Sequence, residues 1–172
     1  LLKADTLISM ASDICGGFMK EAGEMERLWK VIHFNEFHDT MGGTTIKSAR
    51  DEAIMQISGV CARAGEIRAL AIQHIVNAQD TRGEGFPLFL FHTGGMPYED
   101  YVEVELEWFC QSPLKLLDPA GKEIPYQRIH TDAKVRHTTL GGRRRFVFYA
   151  SIPACGFARY SVVKEEPSLE ST

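Results

Sequence analysis

The stretch IKSARDEAIMQISGVCARAGEIRALAIQH, residues 46–74, decides how the N-terminal half of this chain folds. Apolar and small residues recur in it at steps of three or four, the spacing of one face of an α-helix. These positions are Ile46, Ala49, Ala53, Ile57, Val60, Ala64, Ile67, Ala71 and His74. A helix of this length extends ~45 Å at 1.5 Å per residue. Because alanines let neighbouring helices approach closely, the pattern predicts a long helix within a bundle.

Two segments before residue 46 also show helical spacing. Their apolar positions are Leu7, Ala11, Ile14 and Phe18 in the first, and Met25, Leu28, Trp29 and Ile32 in the second. We therefore expect residues 1–79 to form a bundle of three antiparallel helices. Thr44 or Thr45 is expected to cap the longest helix, because a hydroxyl oxygen accepts a bond from a free N–H of the first turn.

The pattern changes after residues 80–86, which read DTRGEGF and are predicted to be a linker. Residues 101–108 alternate strictly between apolar and acidic side chains, as in a strand with one buried face. Further strand-like segments lie at 88–91, 114–117, 123–128, 145–150 and 157–163. Strands joined by short turns predict an antiparallel, sandwich-like β domain over residues 87–163. The fold class is therefore α+β, and the polar residues 164–172 are predicted to be a flexible tail.

Composition gives no reason to expect nucleic acid or a membrane as partner, since the net charge is −4 and the pI about 5.9. No apolar run approaches the ~20 residues that cross a bilayer. The start at Leu1, inside an apolar repeat, reads as a piece of a longer protein. The four cysteines Cys15, Cys61, Cys110 and Cys155 lack metal-site spacing, so free, buried thiols and a cytoplasmic location are expected. A homo-oligomer remains open.

Residues 35–44, NEFHDTMGGT, separate the second and third helical patterns and combine a histidine, an aspartate and two glycines. Zinc requires about four ligands, so His38 cannot hold it alone. His33 would face ~140° away on a helix, which makes an independent metal site in this chain improbable. On residue type alone, His38 is a capping or packing histidine and Asp39 a loop carboxylate. Phe37 offers a ring that could stack on a sugar.

Several motifs appear in one order along residues 1–163. They are LWK at 28–30, FNEFHD at 34–39, GT at 43–44, YVEVE at 101–105, DPAGKEIPYQ at 118–127 and IPACG at 152–156. In this order they resemble the helical middle domain and the following β-rich region of glycoside hydrolase family 38, the zinc-dependent α-mannosidases. Gly42 and His92 stand where that family often has other residues.

The resemblance implies a retaining α-mannosidase that hydrolyses terminal α-mannosides. In such an enzyme the nucleophile, the acid/base carboxylate and the other zinc ligands lie in an N-terminal α/β catalytic domain of the same chain, so no catalytic residue is expected here. His38 would be one zinc ligand, and Asp39 and Phe37 would bind the substrate, a mannoside or mannose-containing glycan. The fragment alone should be inactive and should not hold zinc tightly.

The alternative is a non-catalytic carbohydrate-binding or domain-packing module. Glu103, Glu105 and Glu107 are interpreted as a solvated strand face and not as glycosidase carboxylates, since neighbours on one strand face lie ~7 Å apart and nothing would raise one pKa. The arginine run at 143–145 is interpreted as a solvated strand end.

Overall fold

The computed structural model describes residues 1–17, 19–106, 114–129 and 144–169. The chain divides into two compact units, Leu1–Asp80 and a second that begins at Thr81. The first unit is helical and the second consists of antiparallel sheets, which confirms the α+β class. The boundary falls at the start of the predicted linker, and the first strand begins at its last residue, Phe86.

The helical unit contains α1 (Leu2–Cys15), α2 (Met19–Asn35), the one-turn α3 (His38–Met41) and α4 (Lys47–Asn77). Helix α4 packs against both α1 and α2. The centre of the predicted stripe is confirmed, since Ala53, Val60, Ala64, Ile67 and Ala71 are buried. The ends of the stripe are wrong. Ile46, Ala49 and His74 are exposed, and Ile75 is buried at the C-terminal end instead.

The predicted threonine cap of α4 is also wrong. Helix α4 begins after Ile46, whose side chain makes no capping bond. The hydroxyl of Thr44 instead donates to the main-chain oxygen of Asp39 and to Asp39 Oδ1, both at 3.3 Å. The threonine therefore closes the turn around α3, and the long helix starts too late for it to serve as the cap.

The second unit has seven strands among the described residues, arranged in two sheets. They are β1 (Phe86–His92), β2 (Tyr98–Leu106), β3 (Lys115–Leu117), β4 (Glu123–Ile124), β5 (Gln127–Ile129), β6 (Arg144–Ile152) and β7 (Gly156–Val163). The sheet orders are β1-β7-β3-β4 and β2-β6-β5, and every pair is antiparallel.

The core of the β unit is built from alternate positions on strands of both sheets, as the period of two requires. Its largest buried members include Phe146, Phe148, Tyr126 and Tyr160. On β2, Val102, Val104 and Leu106 pack against this core while Glu103 and Glu105 are exposed. The predicted alternation is therefore confirmed as far as Leu106, and its continuation to Glu107 and Trp108 lies outside the described residues.

Three cysteines are described, and all three are free. Cys61 and Cys155 are exposed and Cys15 is half-buried, so the expectation of buried thiols is wrong for these positions. Cys15 and Cys61 lie on helices, and helical periodicity did not show which face each one occupies; Cys155 lies in the turn between β6 and β7. Cys110 lies outside the described residues.

The segment predicted as a flexible tail makes specific contacts within its described part. The main-chain N–H groups of Ser168 and Leu169 donate to Glu123 Oε1 at 2.7 and 3.0 Å. Lys115 Nζ lies 2.9 Å from Glu165 Oε2. None of the helices in the described ranges has the length and hydropathy of a membrane span.

Candidate functional site

The loop that carries Phe37, His38 and Asp39 is anchored where α2 ends. Asn35, the last residue of α2, is 4% exposed, and its side-chain amide donates to Val31 O at 2.8 Å and to Gln56 Oε1 at 2.9 Å. A buried amide without partners would destabilise the fold. The two bonds therefore fix the end of α2 and hold it beside the turn of α4 that contains Gln56. The sequence alone gave no sign of this Asn35–Gln56 contact.

Helix α3 turns the chain within one helical turn, and two glycines make the turn possible. Gly42 N donates to His38 O at 2.8 Å. A Cβ on Gly42 would lie 2.8 Å from that same carbonyl oxygen, closer than such contacts normally allow. Gly43 has φ of 73°, in the left-handed region that glycine adopts without a steric penalty. Both glycines are therefore required by the backbone of this loop.

His38 and Asp39 come together on the surface of the helical unit. His38 Nε2 lies 3.5 Å from Asp39 Oδ1, the oxygen that also accepts from Thr44. The side chains of His38 and Asp39 are 78% and 59% exposed. Thr44 was missed as a site residue, because sequence reasoning assigned its hydroxyl to the cap of α4. It holds the carboxylate beside the imidazole.

Phe37 completes this group, which we call the 37–39 triad. Its ring centroid lies 4.2 Å from that of His38, with the planes inclined by 45°. Phe37 is itself 57% exposed. The triad therefore presents an aromatic ring, an imidazole and a carboxylate to solvent side by side. Together they offer stacking, metal-ligand and hydroxyl-acceptor chemistry at one place.

His33 has partners of its own. Its Nδ1 lies 2.8 Å from Glu36 Oε2, and its ring stacks on Trp29 at a centroid distance of 5.5 Å. Trp29 in turn donates from Nε1 to Asp5 Oδ2 at 2.6 Å. The Trp29–Asp5 bond ties α2 to α1, whereas the contacts of the exposed His33 stay within α2 and the residue after it.

A zinc site requires more ligands than this chain brings together. Within the described ranges, no group of three or more histidine, cysteine, aspartate or glutamate side chains is placed to hold a metal ion. The 37–39 triad supplies one imidazole and one carboxylate, against the four or so ligands that zinc takes. The described residues of this chain therefore do not make up a complete zinc site.

In its described part the β unit offers acidic residues but no site comparable to the 37–39 triad. Glu103 forms an ion pair with Arg145 across β2 and β6. Tyr101 and Tyr149 pair across the same strands on the outer face, with ring centroids 5.6 Å apart and an edge-to-face geometry. Both tyrosines are exposed. Glu107 and Arg143 lie outside the described residues.

Comparison with known proteins gives a likeness of fold. No family model and no curated protein matches the sequence. Among solved structures, a protein in the glycosyl hydrolase family 38 from Enterococcus faecalis matches with a TM-score of 0.71 at 17% identity. The match covers 98% of this chain and 23% of that chain. This chain therefore has the fold of a segment of a family 38 glycosyl hydrolase and spans less than a quarter of that protein's length.

Proposed function

We propose that this chain is part of a zinc-dependent retaining α-mannosidase, in which it supplies His38 as one zinc ligand and Asp39 and Phe37 as sugar-binding residues. The observation that carries the proposal is the exposure of all three side chains on one loop, in a chain that shares its fold with a segment of a family 38 glycosyl hydrolase. The rest of the active site belongs to a domain outside these residues, as the resemblance implies.

The 37–39 triad suits this role chemically. An exposed neutral imidazole is a preferred zinc ligand, and zinc, when bound, acts as a Lewis acid toward oxygen. Asp39 presents a carboxylate that accepts hydrogen bonds from sugar hydroxyls, and bonds to a charged acceptor are worth ~1.5–3 kcal/mol. The hydroxyl of Thr44 keeps this carboxylate oriented. Phe37 supplies an apolar surface for the C–H face of a sugar ring.

The two carboxylates of retaining hydrolysis are not assigned to this chain. A retaining glycosidase needs a nucleophile and an acid/base group ~5–5.5 Å apart. Glu103 is engaged by Arg145 on the outer face of a sheet, which is structural and not catalytic. The proposal therefore gives this chain binding and positioning roles and leaves bond cleavage to the absent domain.

The test is replacement of His38 by alanine in the complete gene product. Because a metal ligand is lost, we expect zinc content and turnover of an aryl α-mannoside to fall by at least ~100-fold, more than the loss that outer ligand-orienting residues cause. Asp39→Asn should keep zinc and lose turnover. Zinc is measured by atomic emission after gel filtration, and folding by circular dichroism.

The matched control is His33→Ala, which removes another exposed histidine of the same helical unit. This variant should keep both zinc and activity. If His38→Ala retains metal and turnover at the level of His33→Ala, the assignment of His38 is rejected.

The second candidate is a non-catalytic carbohydrate-binding module, and the exposed Tyr101–Tyr149 pair favours it. Aromatic faces on an outer sheet give sugars a stacking surface without any metal. The same experiment separates the two candidates. A complete gene product that binds mannosides but never hydrolyses them, with or without zinc, supports the module.

A further inference from the structure

Three side chains form a continuous hydrogen-bonded line from α4 to the last residue of α2. Gln56 Nε2 donates to Glu52 Oε1 at 3.0 Å, and Gln56 Oε1 accepts from Asn35 Nδ2 at 2.9 Å. The same Nδ2 group also donates to Val31 O at 2.8 Å. We call Glu52, Gln56 and Asn35 the amide relay. Glu52 is exposed, Gln56 is half-buried and Asn35 is buried.

Glu52 determines the direction of the amide relay. An ionised carboxylate only accepts hydrogen bonds, so the –NH2 end of the Gln56 amide faces Glu52 and its oxygen faces Asn35. A reversed Gln56 amide would bring two oxygens together at Glu52 and two –NH2 groups together at Asn35. Such a mismatch leaves a polar group of the buried Asn35 without a partner, which is unfavourable. The relay therefore has a single arrangement, and this arrangement holds α2 to α4.

The connection from Asn35 to the 37–39 triad is short and hydrogen-bonded. Only Glu36 and Phe37 lie between the end of α2 and the start of α3. Glu36 N continues the hydrogen bonding of α2, with an N···O distance of 2.9 Å. Phe37 O accepts from Thr40 N at 3.0 Å and so belongs to the turn of α3. A displacement of Asn35 is therefore transmitted to the triad.

Helix α4 gives the relay a fixed support. Gln56 lies between Ala53 and Val60, which are buried in the core of the helical unit. A side chain on a packed helix is held more precisely than one on a loop. Gln56 is fixed in this way, whereas the 37–39 triad lies on an exposed turn that has no such packing of its own.

We infer that Gln56 is a positioning residue for the 37–39 triad, acting through Asn35 to set where the triad meets the substrate. This inference rests on the proposed function. A misplacement of ~1 Å, even one caused far from the reacting atoms, can lower a reaction rate ~100-fold. Loss of the relay should therefore reduce catalysis although every side chain that binds the substrate is still present.

The first test removes the relay in the 172-residue chain and measures how rigid the triad remains. Gln56→Met keeps the length of the side chain but offers Asn35 no amide oxygen. The NMR order parameters of the His38 and Asp39 amides should fall from ~0.85 to below ~0.6, the values of rigid and flexible backbone. The amide of Ile67, buried in the middle of α4, should keep its order parameter and shows that the fold is intact.

Glu52→Ala is a milder variant, since it changes only an exposed side chain and removes the group that sets the direction of the Gln56 amide. It should lower the same order parameters by a smaller amount. Gln73→Met is the matched control, because it makes the same replacement at an exposed position of α4. It should leave the triad rigid.

The double variant Glu52→Gln/Gln56→Glu is the rescue. It exchanges the two side chains, so that an amide at position 52 donates to a carboxylate at position 56, which still offers an oxygen to Asn35. In the complete gene product, Gln56→Met should lower kcat/KM for an aryl α-mannoside by about 10- to 100-fold. The double variant should recover the wild-type value, and Gln73→Met should keep it.

The outcomes separate this inference from the proposed function. An inactive wild-type product, with order parameters that fall in Gln56→Met, would reject the function and support the relay as the support of the loop. Activity of Gln56→Met equal to that of Gln73→Met would overturn the positioning role and leave the function standing. Unchanged order parameters in both Gln56→Met and Glu52→Ala, or no recovery in the double variant, would overturn it as well.

Discussion

The two units of this protein bury apolar residues of different sizes. The helical unit buries many small side chains, among them Ala4, Ala11, Ala64 and Ala71, along the contact of α1 with α4. The β unit buries large ones, with Phe146, Phe148 and Tyr160 between its sheets. The helical unit also leaves large hydrophobic residues exposed, and six of them lie between residues 34 and 55. The proposed site lies within this segment.

The largest expected effect comes from emptying the core of the β unit. Phe148 is 1% exposed, and its ring lies 5.3 Å from that of Tyr160. Phe148→Ala should lower the free energy of unfolding of this unit by ~3–5 kcal/mol, because it removes apolar contacts and leaves a cavity. Urea denaturation followed by near-UV circular dichroism measures the loss.

Phe34→Ala is the control for this change, since Phe34 is exposed on the helical unit. Its effect on unfolding should stay within ~0.5 kcal/mol in the 172-residue chain. Equal losses in the free energy of unfolding from Phe148→Ala and Phe34→Ala would contradict the expectation that only the buried ring stabilises its unit.

A smaller effect is expected from overfilling the helical core. Ala71 is fully buried on α4, at a contact made of small residues. Ala71→Leu should destabilise the helical unit by ~1–3 kcal/mol, because a well-packed interior has no room for the added carbons. Thermal denaturation followed at 222 nm measures this change.

Ala69→Leu places the same side chain two residues earlier, at an exposed position of the same helix. It should leave the melting temperature nearly unchanged, since leucine is a good helix former. A neutral result for Ala71→Leu would show that the helices pack more loosely than their alanines suggest.

The smallest effect concerns the segment after β7 and is governed by pH. The hydroxyl of Ser168 and the main-chain N–H groups of Leu169 and Ser168 donate to Glu123, which lowers the pKa of this carboxyl below its usual 4.5. A carboxyl with a depressed folded pKa stabilises the fold above its unfolded pKa and loses that contribution as pH falls through the folded value. The amides of Ser168 and Leu169 should therefore lose protection below about pH 4.5.

Hydrogen exchange of those two amides, followed by NMR across that range, checks the expectation. Glu123→Gln keeps an acceptor oxygen but cannot titrate. Its exchange rates should show no such step, and a step that persists in Glu123→Gln would assign the pH dependence to another group.

Local patterns were enough to predict most of the fold. The period of residues 46–74 predicted the long helix, and the alternation of 101–106 predicted a strand with an acidic outer face. Where the predicted burial was wrong, packing between distant residues decided the outcome. Ile46 and His74 have the right spacing for the buried stripe, yet both are exposed, because burial depends on where a neighbouring helix lies.

At the candidate site, too, some residues were predicted from the sequence and one was missed. Phe37, His38 and Asp39 were predicted as site residues from the resemblance, since residue type alone made His38 a capping or packing histidine and Asp39 a loop carboxylate. Their roles stay predictions until the metal and the substrate are tested. Thr44 escaped notice because its hydroxyl can serve either a helix cap or a neighbouring carboxylate, and only the backbone of the loop decides between them.

By itself the sequence determined the order of helices and strands, since periodicity is a local property that each segment carries in its own residues. It also placed the glycines that allow the turn after α3. Only the tertiary structure decided which faces are covered, because a side chain is buried by residues far away in the chain. The bond from Asn35 to Gln56 and the uncovered hydrophobic residues around His38 are consequences of that packing.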